Sequence, residues 1–172
     1  MTAVVPIRAA STVIPSAIEA EQALIAHART IWERRLGATD SPIESMLLAA
    51  LCECAVDHGY RVAKTAGRSD TLGIRPQTTV DRYRIDLVVS FLFHGAELHL
   101  AIECDGHAFH EKTKAQARKD RSRERALTYL GYRVVRFTGS EIYTSPRQCA
   151  AEVMNLVMEF QTATIIEAAR AS

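Results

Sequence analysis

Along the first third of the chain, apolar residues recur at helical spacing. Ile18, Leu24, Ile25, Ala28, Ile31, Trp32 and Leu36 fall on one stripe. Ser16 followed by Glu19 has the spacing of a capping box and Gly37 stops the run, so the pattern predicts a long helix over 16–36. A second start signal follows at Ser41-Pro42-Ile43-Glu44: an N-cap, a proline at the first helical position and a glutamate at the third. That helix is expected to run through Met46, Leu47, Leu51 and Ala55 to about His58-Gly59. The period then changes. After a polar, glycine-bearing connection over 64–73, Ile74 to Val80 reads as a strand and Asp81-Arg82 as a turn. Tyr83 to Val89 and Leu100 to Gly106 read as paired strands around His94-Gly95-Ala96-Glu97. A strongly charged helix over 115–130 ends at Gly131, and Tyr132 to Phe137 forms a short last strand. Ser145-Pro146 opens a final helix carrying Ala150, Val153, Met154, Leu156, Val157 and Phe160. The order α-α-β-β-β-α-β-α predicts an α/β domain with a small mixed sheet flanked by helices. Residues 1–15, with Pro6 and Pro15, read as a loose leader.

The two paired strands carry acids where a sheet normally places apolar residues. If the turn centres on Gly95-Ala96, Phe93 faces Leu98, and Asp86 lies opposite Asp105 with Glu103 as its diagonal neighbour. Glu103 and Asp105 share a face because side chains alternate with period two. Like charges directly opposed across an antiparallel pair destabilise it. Three converging acids therefore need a compensating cation or a shared proton. Hard oxygen ligands on strands favour Mg²⁺ or Mn²⁺ over zinc. Gly106 permits a sharp exit from the strand, and His107 or His110 just beyond is a candidate general base or acid.

Composition changes this picture only in part. The 172 residues carry a formal net charge of +1, which by itself names no partner. The distribution says more: Lys112, Lys114, Arg118, Lys119, Arg121, Arg123, Arg125, Arg133 and Arg136 cluster within 25 residues, opposed by Asp120 and Glu124. A basic surface beside a carboxylate cluster suits a polyanion held close to a metal, while the plainer reading is a solvated helix face. Cys52-Glu53-Cys54 is too tight for a zinc knuckle, and Cys104 and Cys149 supply no matching pair. The cysteines read as small buried apolar residues in a reducing compartment. No segment approaches membrane-spanning length and none has the pattern of a signal peptide, so a cytoplasmic protein with no membrane partner is expected. No serine or cysteine sits in a recognisable nucleophile elbow, which argues against an amide or ester hydrolase.

Taken together, an acid on one strand, Glu103-Cys104-Asp105-Gly106 on the next, His110 beyond it, and Lys119-Asp120-Arg121 leading into Leu130-Gly131-Tyr132-Arg133-Val134-Val135 form a pattern. It resembles the PD-(D/E)XK nuclease superfamily, and within it the branch related to very-short-patch-repair (Vsr-like) endonucleases. The likeness runs from about Ser41 to Ile142. It implies a restriction-endonuclease-like four-stranded mixed sheet over 38–163, with an extra N-terminal helix over 16–37 and a tail over 164–172. It also implies a metal-dependent endonuclease that hydrolyses phosphodiester bonds with Mg²⁺ or Mn²⁺, most often in DNA, with RNA left open. Asp86 then corresponds to the central metal ligand, Glu103 to the second acid and His110 to a catalytic histidine. Asp105 stands where the pattern has lysine; it is a candidate ligand but cannot polarise a water as an ammonium would. Glu44 matches an acid that the opening helix offers to the metal, and is equally well explained as part of a helix cap. Gln77 occupies a supporting position. Lys112, Lys114, Arg118, Lys119, Arg121 and Arg125 are the expected nucleic-acid contacts. The rival reading is a non-catalytic nucleic-acid-binding or interaction module on the same fold. The helix over 16–36 is the expected surface for a homodimer or a partner protein.

Overall fold

The computed structural model describes residues 16–105 and 114–171. Helices α1 (Ala17–Leu36) and α2 (Pro42–Asp57) lead into strands β1 (Arg61–Ala63), β2 (Thr71–Val80), β3 (Tyr83–Phe93) and β4 (Ala96–Asp105). Then come α3 (Lys114–Tyr129), β5 (Tyr132–Thr138), α4 (Gly139–Thr144) and α5 (Pro146–Ala171). The five strands form one sheet in chain order, parallel at its two outer pairs and antiparallel between β2, β3 and β4. The expected four strands are thus five. The additional β1 has three residues, of which only Val62 is buried, so no periodicity announces it; its pairing with Thr71–Gly73 creates it. Beyond residue 163 α5 continues unbroken to Ala171.

Both helix starts form as their local chemistry requires. The Ser16 hydroxyl accepts from the Glu19 amide while Glu19 returns a bond to the Ser16 amide. Ser41 caps α2 and Pro42 occupies its first turn. Ten residues of α2 are buried, because the helix lies against α1, α5 and the sheet at once. Ile25, Ala28, Trp32 and Leu36 of α1 enter the same core, which leaves Leu24 and Ile31 on its outer side.

The sheet has two unequal faces. On one, Leu72, Ile74, Leu87, Val89, Phe91, Leu100 and Ile102 join α1, α2, α4 and α5 in the main core. Phe91 anchors it, packed edge-on to Tyr60 and Phe160. Cys52, Cys54 and Cys149 are buried there as ordinary apolar residues. On the other face, a small cluster of Ile85, Val88, Ala101 and Leu127 lies beneath α3.

The central hairpin differs from expectation in register. Phe93 pairs with Ala96, not Leu98, and the turn is His94-Gly95, with φ of 48° and 82°. Positive φ at both central residues is the two-residue turn whose twist matches that of its strands. A turn centred one residue later is displaced because His94 accepts the left-handed conformation.

Candidate active site

The pairing of β3 with β4 stops at Leu87 and Ile102, although both strands run on. Below that rung β3 stays with β2 as far as Tyr83, and β4 stays with β5 as far as Asp105 and Thr138. The sheet therefore forks. Asp86 sits at the first unpaired position of the fork, and its Oδ2 accepts a 2.7 Å hydrogen bond from the Cys104 backbone amide. A carboxylate thus replaces the missing ladder carbonyl. Continuing the observed register would set Asp86 against Glu103. The expectation that Asp86 directly opposes Asp105 is corrected by two residues, for the turn geometry given above.

Beside Asp86 the alternation of β3 also breaks. Ile85 belongs to the small core and Leu87 to the main one, two residues apart yet on opposite faces. The partner strand shows why. Pro76 has no amide to donate and Gln77 takes φ 49°, so the Gln77–Asp86 rung is skipped while Pro76–Leu87 and Thr78–Ile85 are kept. A left-handed glutamine costs about 1–2 kcal/mol, and such strain persists only where surroundings hold it. What holds it here is Glu44, whose Oε2 accepts from the Gln77 side-chain amide. Oε2 also accepts from the Asp40 amide at 2.9 Å, and Oε1 from the Ser41 hydroxyl at 2.9 Å. Glu44 is 7 % exposed and both its oxygens are engaged, so it caps α2 and anchors Gln77 together.

Glu103 is buried to the same degree. The Arg123 guanidinium, reaching from α3, donates Nη2–H to Glu103 Oε1 at 2.6 Å and also to the Arg84 carbonyl. Arg136 lies across the β4–β5 ladder from Glu103 and donates to Glu124 at 3.1 Å. Burial outweighs these cations: the Glu103 carboxyl is pushed up to about 7, with Arg123 and Arg136 lowering it and the charges of Asp86 and Asp105 raising it. Asp86 is also raised, first by burial and then by the charges of Glu44 and Asp105, against the lowering effects of the Cys104 amide and Arg123. Asp105 is thus within electrostatic reach of both. The Cys104 thiol, half-buried among these acids, is pushed up too, chiefly by burial.

The fork therefore gathers Asp86, Glu103 and Asp105, with Glu44 and Gln77 on the α2 side and Arg123 on the α3 side. Among the described residues, no three His, Cys, Asp or Glu side chains form a ready cage for a metal ion. His107, His110 and Lys112 lie outside the described residues, and Lys114 is the first residue of α3. Arg118, Lys119, Arg121 and Arg125 stand exposed along α3. Arg123 is the residue that sequence reasoning left out of the site. The signal was Leu127: it is buried, and the residue one turn earlier on the same side of α3 is Arg123.

No described helix is long and apolar enough to cross a membrane. Searches of curated proteins and of solved structures find no match. A family model does match, over residues 50–157, which span β1 to β5 and include Asp86, Glu103 and Arg123. On that match, which covers more than half the chain, the protein belongs to the REase_MTES_1575 family, a restriction-endonuclease-like family that points to a nuclease.

Proposed function

We propose that the protein is a metal-dependent endonuclease that hydrolyses phosphodiester bonds in DNA, within the branch resembling very-short-patch-repair endonucleases. The observation that carries this reading is the pair of carboxylates at the fork, Glu103 buried and Asp86 half-buried, both with pKa raised by desolvation and by neighbouring acid. Such a pair is under-compensated as it stands and gains from a cation. Its donor chemistry fits Mg²⁺ or Mn²⁺, since Mg²⁺ is ordinarily bound by one or two carboxylates, with waters and substrate phosphates completing its shell. In this proposal Asp86 and Glu103 hold the ion and Asp105 supports it. When bound, the ion supplies positive charge to a phosphate oxygen and lowers the pKa of a water. The Cys104 amide keeps the Asp86 carboxylate aimed into the fork, and Arg123 favours the ionised form of Glu103. Glu44 is assigned to positioning, because its oxygens already serve the helix cap and Gln77. His110 keeps the proton-handling role that the resemblance gives it. The exposed basic residues of α3, with Lys112 and Lys114, hold the phosphate backbone, and the expected products carry a 3′ hydroxyl and a 5′ phosphate.

The reading in which the fold only binds nucleic acid rests on Asp105 standing in a lysine's place. One experiment separates the two. Plasmid DNA and RNA are incubated with wild type and Asp86→Ala, with Mg²⁺ or Mn²⁺ added or chelated. Metal-dependent nicking by the wild type, lost in the variant, supports the enzyme. Binding without cleavage under every condition favours the binding module. Light scattering on the same preparation tests for a homodimer, for which α1 offers Leu24 and Ile31 as exposed large apolar residues among those described.

A further inference from the structure

A cavity of about 320 Å³ opens between the β2–β3 turn and α3. Its walls are Arg82, Tyr83, Lys119, Asp120, Ser122 and Arg123. Three cations and one carboxylate thus surround an aromatic ring. The Arg82 guanidinium lies 5.2 Å from the Tyr83 ring centre, and its Nη2 donates to the phenol oxygen at 3.0 Å. Arg123 approaches the same ring at 6.0 Å. Arg123 also joins this cavity to the acidic fork, because its Nη2 is bonded to Glu103 and to the Arg84 carbonyl. Its Nε–H is buried and meets no acceptor among the described residues. A buried donor without an acceptor is costly, and the guanidinium fork is matched in shape and charge to a phosphate.

We propose that this cavity is a phosphate subsite of the cleavage site, taking a backbone phosphate of the DNA strand, and that Arg123 faces that phosphate and Glu103 together. The inference rests on the nuclease reading and adds residues to it. The Arg123 guanidinium, in the cavity wall, adds its positive charge to the surroundings of that phosphate. Arg82 and Lys119 flank the same anion, and the Tyr83 ring offers a surface on which a base or sugar packs. Arg123 also accounts for the departure at position 105: the positive charge that the resemblance places on β4, where Asp105 stands, arrives here from α3.

The test uses a fluorescently labelled DNA duplex in metal-free buffer with chelator, so that binding is read without cleavage. Arg82→Gln is examined alone, and Arg123→Gln in a Glu103→Gln background, which removes the charge that Arg123 would otherwise leave buried. Each arginine change is expected to weaken binding about fivefold and to lower the salt dependence by about one released ion. Arg68→Gln, beyond the far edge of the sheet, is expected to change neither. Unaltered affinity and salt slope in both cavity variants, with melting temperatures showing them folded, would overturn the subsite. The cleavage arm adds Mg²⁺. Activity lost in Arg123→Gln and regained on adding Asp105→Lys supports the transferred charge, whereas activity untouched by Arg123→Gln overturns it. Should the wild type cleave neither DNA nor RNA, the nuclease reading fails while the binding arm still decides the subsite. Equal loss of RNA binding would extend the subsite to either backbone.

Discussion

The two faces of the sheet are built from different materials. One is covered by four helices and buries a continuous apolar core, including Phe91, Leu47, Leu48, Leu51 and Ile102. The other gathers Ile85, Val88, Ala101 and Leu127 under one helix whose remaining residues are mostly charged. Glu103 faces this second side, and Asp86 sits where the strands part between the two. The contrast separates two tasks. Fully burying a large apolar side chain stabilises a fold by about 1.5–3 kcal/mol, and the first face does this many times over. The fork and the second face therefore hold what a core does not tolerate: a parted ladder, a left-handed glutamine beside it, and a buried carboxylate next to a half-buried one. The family match, over residues 50–157, spans both faces, and the site proposed above lies at the fork and on the thin side.

Perturbing the thick face should have the largest effect. Phe91→Ala is expected to cost about 3–5 kcal/mol, seen as a lower urea midpoint, because Phe91 is 1 % exposed and contacts Tyr60, Phe93 and Phe160. A loss below about 1 kcal/mol would mean that the main core is not what carries stability. On the thin face, Leu127→Ala should cost about 2–3 kcal/mol. Its signature would be selective, with amide exchange rising in α3 and β5 while α2 and α5 stay protected. Uniform loss of protection would show that the two faces unfold as one and would blunt the contrast.

A subtler effect is expected from pH. The folded Glu103 carboxyl titrates near 7 against its ordinary 4.5, so between those values the folded protein binds more protons than the unfolded chain. Stability from this group is full below about pH 4.5 and is lost as pH rises through about 7, on the order of 3 kcal/mol in metal-free protein. Glu103→Gln should flatten that slope in melts taken from pH 5 to 8 with chelator present. Equal slopes in the two proteins would show that Glu103 titrates normally. The smallest change belongs to the surface. Breaking the exposed Arg84–Asp40 ion pair with Arg84→Ala should cost about 0–1 kcal/mol in the same melts, and less at high salt.

Much of the fold was legible in order of locality. Ser16 and Ser41 announced their helices because a cap is made by residues three apart, and the structure places both caps where the spacing predicts. The strands bearing Asp86 and Glu103 were legible from their β-branched runs. Their register was not, because it depends on whether His94 accepts a positive φ, which residue type alone does not dictate. The three-residue β1 carries no period to read, and α4 is a six-residue turn of helix whose Thr138–Glu141 capping box was passed over. Within the site, Asp86, Glu103, Asp105, Glu44 and Gln77 were all named in advance, and the fork brings them into one neighbourhood. Arg123 was hidden among nine basic residues, since charge alone does not tell an inward arginine from an outward one.

The sequence by itself determined most of the elements and their order, the restriction-endonuclease-type character of the chain and which strands carry acids, because caps, periodicity and motif spacing act over a few residues of chain. Only the tertiary structure decided where the sheet parts, which rung Asp86 occupies, and which arginine meets Glu103. Those outcomes come from pairing register and from burial across strands far apart in sequence. Burial is also what moves the carboxylates away from their ordinary pKa, and no local pattern encodes how much water a folded chain leaves around a side chain.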